Sequence, residues 1–270
     1  AFLQIHPDDL TVYQQEFKTT LEEHNVKSSP HRVVYADGTY KWYESIFTNL
    51  LSDPSIQGIV INSRDITDSY IANRMEKLER TILEKNALPN SNLVDIATDY
   101  IRGIESLHEG MICSLLSVQN SCVYNLASPS LHLDYINLIN GLAIGENRGS
   151  CGTAAYTKQP VIVTDIETDI RWADFKTIVQ PYGYKACWSK PIIDSNNDVL
   201  ATFAVYYKES KEPNSQEFLT INRSVQILRV IIENYRRLED INKANERFQY
   251  ATKANLSIIW DWNVQSDKMF

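Results

Sequence analysis

The run RGSCGTAAY, residues 148–156, places Cys151 between two glycines at the expected first turn of a helix. The N-terminus of a helix carries a positive partial charge and free N–H groups, and both lower the pKa of a thiol. Three roles are open to Cys151: a nucleophile, a contact for a bound molecule, or a small residue in a tight corner. A buried cysteine commonly behaves as a small hydrophobe, so packing is the simplest interpretation.

A ligand site is the second interpretation of this run. The N–H groups around residues 149–152 suit a carboxylate or phosphate, and two glycines let a ligand approach the main chain closely. Nearby aromatic residues would supply apolar or stacking walls. The residues predicted to line this pocket are Ser150, Cys151, Gly152, Tyr156, Asp165, Trp172, Phe175 and Trp188. Their types leave the identity of the ligand open.

The cysteines do not form a metal-binding pattern. Cys113, Cys122, Cys151 and Cys187 are far apart, with no C-x-x-C pair and no cysteine–histidine cluster at zinc-ligand spacing. We therefore expect no metal, and four reduced thiols as in a cytoplasmic protein.

Composition argues against several classes of partner. The 270 residues carry a net charge of −8, which disfavours nucleic acid and an anionic membrane surface. No apolar run approaches the roughly 20 residues of a membrane helix, and no signal peptide is visible. Because the chain begins with Ala1 rather than methionine, we take it to be part of a longer protein.

The first 68 residues predict one helix followed by three antiparallel strands. Asp37-Gly38 joins two β-rich runs as a hairpin, because glycine accepts the positive φ of a tight turn. QGIVINSRDITD predicts the third strand. The apolar residues that recur on one face of the helix are Leu10, Tyr13, Phe17 and Leu21.

Two helical stretches show the three-and-four spacing of coiled coils. Residues 69–89 form a first connector, and residues 238–247 form a second that continues the last helix of the unit between them. We expect the helices to build a parallel two-stranded seam in a homodimer. The seam residues are Ile71, Met75, Leu78 and Ile82 on one side and Val225, Leu228, Ile232 and Tyr235 on the other.

Residues 90–237 predict an α+β unit with a central antiparallel sheet flanked by helices. Helices are expected at NLVDIATDYIRGIESL, LDYINLINGL and DIRWADFKTIV, the last of them stopped by Pro181 and Gly183. Strands are expected at GMICSLLSV, SCVYNLA and PVIVTDI, and ACWSKPIID forms a hairpin with DVLATFAVYY.

Three segments resemble known signalling domains. Residues 1–68 resemble the C-terminal part of a PAS domain, through IHPDD before the helix, DGTYKW at the hairpin and GIVINSRDITD in the last strand. Residues 248–270, with FQYATKANLSIIWDWN, resemble the start of a second PAS domain. Residues 90–237 resemble a GAF domain, through YINLINGLAIGENRGSCGTAAYTKQPVIVTDI, WADF, ACWSKPI and VLATFAVYY.

These resemblances imply the input region of a bacterial sensory protein. Such arrays commonly precede a histidine kinase core or a cyclic-dinucleotide enzyme. The chain shows no nucleotide-binding or phosphoacceptor motif of a kinase, no G-G-D-E-F run and no E-A-L run. We therefore expect a non-enzymatic segment of a two-component or related signalling protein. It would bind a small molecule or act as a dimeric relay to an output domain in the same chain.

A thiol enzyme is the alternative. GAF-fold enzymes that reduce free methionine sulfoxide carry a similar CGTA run, but they need a second cysteine to resolve the sulfenic acid. Cys187 aligns with the next strand rather than with the loop of their partner cysteine, which counts against catalysis. A bilin is not expected, because Glu167 stands where a proline would follow Asp165-Ile166, and His132 has no cysteine beside it. The N-K-F-D-E-like set of cyclic-nucleotide GAF domains is also missing from this unit.

Overall fold

The computed structural model describes residues 4–36, 38–88, 91–254, 262–263 and 268–269. The chain divides into two compact units, Ala1–Lys77 and Leu78–Phe270. Within the described residues, no helix is both long enough and apolar enough to span a bilayer.

The first unit is a four-stranded antiparallel sheet with one helix. The long strand β3 pairs with β1 and β2 along different parts of its length, and with β4 along most of it. The elements are α1 (Pro7–Thr19), β1 (Asn25–Lys27), β2 (His31–Val34), β3 (Tyr40–Leu50) and β4 (Gly58–Asp65). The three expected strands are present, and the short β1 is an additional strand that the sequence analysis missed.

The core of the first unit forms where α1 meets β3. Tyr13 and Phe47 are buried with their rings edge to face, and Leu10 and Phe17 pack around them. The prediction that Leu21 also lies on the apolar face of the helix is wrong, because α1 ends at Thr19 and the side chain of Leu21 is exposed. The expected hairpin joins β2 to β3 with Gly38 at φ +84°, and Asp37 lies outside the described residues.

The second unit is built on a six-stranded antiparallel sheet in the order β7-β6-β5-β10-β9-β8. Helix α2 (Thr67–Asn86) begins in the first unit and ends in the second. The strands are β5 (Ile112–Gln119), β6 (Cys122–Ala127), β7 (Leu142–Ala143), β8 (Val161–Val163), β9 (Ala186–Ile193) and β10 (Val199–Tyr207). The helices are α3 (Leu93–Glu105), α4 (Leu133–Ile139), α5 (Gly149–Thr157), α6 (Lys176–Val179) and α7 (Ser215–Ala254). Two-residue strands β11 (Trp262–Asn263) and β12 (Lys268–Met269) pair with each other.

Helices cover both faces of this sheet. The residues of β10 are therefore buried on both sides, and its sequence is almost continuously apolar. Alternation along the strand sends Thr202, Ala204 and Tyr206 toward α5, and Phe203 and Tyr207 toward the opposite face. Helix α7 packs against β9, β10 and α3. The sheet therefore separates two layers of core, and only the layer under α5 contains Cys151.

The predicted seam residues of the second unit are buried inside a single chain. A Cβ on Gly103 of α3 would come within 2.4 Å of Leu78 Cδ1, so α2 and α3 are in close contact. Arg223 of α7 donates to both carboxylate oxygens of Glu79 on α2, at 3.0 and 2.6 Å. The seam residues that are fully or almost fully buried here are Ile82, Val225, Leu228 and Ile232. These side chains fill the helical layer of their own unit, whereas the predicted seam residues Leu78 and Tyr235 are half-buried.

The last part of α7 offers exposed residues for a contact between two copies. Beyond Tyr235, which is half-buried, every helical position through Tyr250 is exposed. Leu238 and Ile241 lie in this stretch, 40% and 49% exposed. The helix also continues to Ala254, so the first residues of the expected second PAS segment are helical, and Trp260 lies outside the described residues.

The segment DIRWADFKTIV is not the single helix that was expected. A 3₁₀ turn, Ile170–Trp172, is followed by the one-turn helix α6 and a second 3₁₀ turn, Gln180–Tyr182. The Asp169 carboxylate accepts from Arg171 N at 2.9 Å and caps the first turn, which lets Trp172 turn into the core. Gly183 at φ +72° ends the last turn, as expected.

Candidate functional site

A cavity of about 40 Å³ lies beside the start of α5, above the sheet face that α5 covers. Its walls are mostly apolar and aromatic, with a few polar groups from the helix start. The lining residues are Leu116, Val123, Tyr135, Ile139, Leu142, Ala143, Arg148, Gly149, Ser150, Cys151, Gly152, Trp172, Phe175, Ile178 and Tyr206. An apolar cavity with a few convergent polar groups is the usual form of a small-molecule site.

The two glycines that flank Cys151 are needed for packing. Gly149 has φ +62°, a conformation that other residues rarely adopt, and its Cβ position lies 3.7 Å from the Trp172 ring. A Cβ on Gly152 would lie 2.7 Å from Arg148 Cβ. Gly149 therefore suits its backbone conformation, and Gly152 lets the helix start approach the arginine stem, which supports the packing interpretation at Gly152.

Ser150 ties the helix start to the sheet. Its hydroxyl donates to the carbonyl oxygen of Cys187 on β9 at 2.8 Å and accepts from Trp172 Nε1 at 3.0 Å. All three residues are buried, so these hydrogen bonds have no water to replace them. Ser150 fixes the position of its neighbour Cys151 relative to β9.

Ser150→Ala is expected to lower the free energy of unfolding by about 2–4 kcal/mol, because it leaves a buried carbonyl and a buried indole N–H without partners. Urea denaturation followed by circular dichroism measures the change. Ser195→Ala, at an exposed position in the β9–β10 loop, is the matched control and should change stability by less than about 0.5 kcal/mol. Equal effects of the two substitutions would show that Ser150 does not hold the helix start.

Cys151 and Cys187 are neighbours in space. Both belong to one buried cluster, and a hydrogen bond from Cys187 is the largest cause that lowers the pKa of Cys151, from 9.0 to about 7. Burial acts in the opposite direction on Cys151, and it raises the pKa of Cys187 well above its ordinary value. Ionisation is therefore favoured at Cys151 over Cys187.

Hydroxyl groups of the sheet surround the same sulfur. The side chains of Ser189, Thr202 and Tyr206 also lower the pKa of Cys151 by hydrogen bonding to its thiolate. Ser189 and Thr202 are 3% and 0% exposed, and neither hydroxyl has a hydrogen-bond partner among the described residues. Buried hydroxyls without partners are costly, so these two positions beneath α5 are not explained by the hydrogen bonds of the fold.

The structure brings together five of the eight predicted pocket residues: Ser150, Cys151, Gly152, Trp172 and Phe175 all line the cavity. The other three lie elsewhere. Tyr156 is 57% exposed, and the Asp165 carboxylate accepts from Glu167 N within its own turn. Trp188 points to the opposite face of the sheet, where its Nε1 donates to the carbonyl of Lys211 at 3.1 Å.

The sequence analysis missed the strand and helix residues that complete the cavity. Leu116 and Tyr206 belong to apolar strands buried on both faces, where alternation identifies two candidate faces but not which one meets α5. Tyr135 and Ile139 lie one turn apart on α4, and this i, i+4 spacing was the available signal. Within the described ranges, no group of three or more His, Cys, Asp or Glu side chains could hold a metal ion.

Residues 109–231 match the sequence model of the GAF domain. The match covers the sheet, the cavity and the helix start at Cys151. The antiparallel sheet flanked by helices agrees with the α+β architecture expected for this segment.

A curated relative covers nearly the whole chain. The methyl sulfide methyltransferase-associated sensor of Methanosarcina acetivorans is 29% identical over 252 residues, which are 91% of this chain and 25% of that protein. The chain therefore spans about a quarter of the length of the curated relative it matches.

Solved structures with low sequence identity were also found. The GAF domain of a phosphoenolpyruvate-protein phosphotransferase from Coxiella burnetii is 18% identical, with 62% of this chain and 96% of that chain covered and a TM-score of 0.49. Free methionine-R-sulfoxide reductase from Neisseria meningitidis is 12% identical, with 63% and 92% covered and a TM-score of 0.49.

Proposed function

We propose that this chain, with its GAF domain at residues 109–231, is the sensory input segment of a larger signal-transduction protein. A relative at 29% identity that is named as a sensor supports this assignment. In this proposal, the segments before and after the GAF domain are the PAS-like parts of a cytoplasmic sensor. The output domain, a histidine kinase or a cyclic-dinucleotide enzyme, belongs to the same chain and carries the catalysis.

The signal enters through a small, largely apolar molecule that binds in the cavity beside α5. The observation that carries this proposal is the cavity itself, enclosed by the Trp172 and Phe175 rings and the start of α5. Its volume of about 40 Å³ holds only a few water-sized groups, since a water needs roughly 10–15 Å³. A larger ligand has to move the walls, and a ligand that binds two arrangements of the walls unequally shifts their populations.

In this proposal, the change in the populations of the two arrangements is transmitted from the GAF domain to the rest of the protein through α7. This helix packs on β9 and β10 with its first half and is exposed with its second half. An isolated helix of this kind is only marginally stable in water, so a second copy of the chain is the natural partner for Leu238 and Ile241. We therefore place the homodimer contact beyond Tyr235 rather than at the buried seam residues.

Ile139→Phe is expected to displace the ligand, because the larger ring extends into the cavity from α4. Mass spectrometry of the purified chain, native and then denatured, measures the fraction that releases a small molecule. Leu138→Phe makes the same change at a 48% exposed position of the same helix and should keep the ligand. An unaltered chain that releases nothing, or an Ile139→Phe chain that retains its ligand, would contradict the proposal.

A thiol enzyme is the second candidate, and one observation favours it. Cys187 lies on strand β9 as expected, yet it belongs to the same buried cluster as Cys151, so its place on a strand does not separate the two cysteines. A nucleophilic and a resolving thiol are what reduction of a sulfoxide requires. Turnover of free methionine sulfoxide by the unaltered chain, lost in Cys151→Ser, would establish this activity, and no turnover would remove it.

A further inference from the structure

We propose that the ligand of the cavity beside α5 is a small monocarboxylate, whose carboxylate pairs with the Arg148 guanidinium at the cavity mouth while its apolar tail enters the cavity. The inference rests on the proposed function, because it names the chemical class of the molecule that binds at that same site. It adds Arg148 as a binding residue and a single negative charge as the feature that the site recognises.

Arg148 gives the cavity lining a positive charge. Within the part of the chain that the structure describes, the lining contains no aspartate, glutamate, lysine or histidine beside it. Arg148 is also exposed, so it lies where the cavity meets the solvent. One positive charge at the edge of apolar walls complements a ligand with one negative charge and an apolar body. A phosphate group carries nearly two negative charges at neutral pH, and one of them would stay unmatched.

Two glycines hold the stem of Arg148. A Cβ on Gly145 would lie 3.1 Å from Arg148 Cγ, and a Cβ on Gly152 would lie 2.7 Å from Arg148 Cβ. Neither glycine has a positive φ, so the backbone conformation does not require glycine at these positions. Glycine also weakens a helix relative to alanine, and Gly152 lies within α5. The room that both glycines leave for the arginine stem accounts for their presence.

The backbone of Arg148 is fixed as well. Its N–H donates to Thr153 Oγ1 at 3.2 Å, and the Thr153 hydroxyl donates to the carbonyl oxygen of Glu146 at 3.1 Å. Thr153 is 5% exposed, so water hardly competes for these hydrogen bonds. The Gly145 N–H donates to the Gly152 carbonyl oxygen at 3.3 Å. The loop that carries Arg148 is therefore tied to α5 on both sides of the arginine.

The fold holds Arg148 without using its guanidinium. Among the described residues, the side-chain nitrogens of Arg148 have no hydrogen-bond or ion-pair partner, and its hydrogen bond to Thr153 comes from the main chain. Arg171, by contrast, pairs with Asp169. The planar fork of a guanidinium matches the two oxygens of a carboxylate. A positioned arginine whose head is not needed by the fold is the arrangement that a carboxylate ligand requires.

The cavity limits the length of the ligand tail. Its volume of about 40 Å³ holds roughly three water-sized groups, since each needs about 10–15 Å³. The propyl tail of butyrate matches this space, and the methyl group of acetate leaves most of it empty. The longer tail of octanoate has to move the walls. Affinity should therefore rise by about fourfold for each methylene from acetate to butyrate.

The test is titration of the full chain with butyrate and with butyramide, its neutral analogue, followed by saturation-transfer NMR. At about pH 6 the Cys151 thiol, with its pKa of about 7, is mostly protonated, whereas butyrate is still an anion. We expect butyrate to bind at least about tenfold more tightly than butyramide, because hydrogen bonds between charged groups are the stronger kind.

Arg148→Gln keeps most of the stem and removes the charge, so it should abolish the preference for butyrate and leave the binding of butyramide unchanged. Arg102→Gln is the matched control. It removes the same charge from an exposed position of α3 outside the cavity lining, and the preference for butyrate should persist. Circular dichroism establishes that each variant is folded.

The outcomes separate this inference from the proposed function. Equal affinities for butyrate and butyramide, both lost in Ile139→Phe, would overturn the inference and keep the cavity as a site for neutral ligands. Butyrate binding that survives Ile139→Phe would place the anion outside the cavity and would also overturn it. Binding of neither probe would overturn it too, and a purified chain that in addition releases no small molecule would remove the proposed function as well.

Discussion

Leu228→Asp is expected to unfold the second unit of the protein rather than to separate two folded copies. The Leu228 side chain is 0% exposed in a single chain, in the layer where α7 packs on the sheet and α3. A carboxylate at this position would be buried without an ion-pair partner. Burying an unpaired charge costs at least about 4 kcal/mol. Total stabilities are about 5–15 kcal/mol, so much of the folded population is lost.

Leu238→Asp, ten positions further along α7, is the matched control. Leu238 is 40% exposed, so the substitution should change the free energy of unfolding by less than about 0.5 kcal/mol. In a dimer that uses the exposed part of α7, it should instead shift the mass measured by light scattering toward the monomer. Urea denaturation by circular dichroism gives the stability of both variants. A Leu228→Asp chain with unchanged stability and a monomeric mass would instead support a dimer contact at Leu228, as the sequence predicted.

The spacing of apolar residues predicts the helices that carry the seam residues, but it does not identify the partner of each helical face. Leu78, Leu228 and their neighbours recur at intervals of three and four whether a helix packs on a second copy or on its own sheet. The deciding contact is between Leu78 and Gly103, and Gly103 gives no apolar signal in the sequence. The partner of a helical face depends on tertiary packing, which one sequence does not reveal.

The helix start at Cys151 was predictable for a local reason. The two glycines indicate close approach or a positive φ, and the structure shows a positive φ at Gly149 and close approach of Gly152 to the Arg148 stem. The approach of Cys187 to Cys151 was not predictable, because it depends on how β9 is placed under α5. The same holds for the buried hydroxyls of Ser189 and Thr202, which lie on neighbouring strands and pair with different residues in the sheet.

Cys151 is expected to react with iodoacetamide with an apparent pKa near 7 instead of 9.0. A cysteine is an acid, so a lowered pKa means that the thiolate persists down to lower pH and is lost as pH falls below about 7. At pH 7 the thiolate fraction is about 50-fold larger than for a thiol with a pKa of 9. Alkylation rates from pH 5 to 9, resolved by peptide mass spectrometry, measure this profile.

Thr202→Val identifies the cause of that profile. The substitution replaces the hydroxyl with a methyl group of similar size and removes one group that lowers the pKa of Cys151, so the midpoint should move upward. It also removes a buried hydroxyl without a partner, so the protein should be at least as stable as before. Thr177→Val, at an exposed position of α6, should change neither quantity. A Thr202→Val chain with unchanged midpoint and lower stability would show that Thr202 serves packing alone, and that the thiolate is held by Cys187 and the remaining donors.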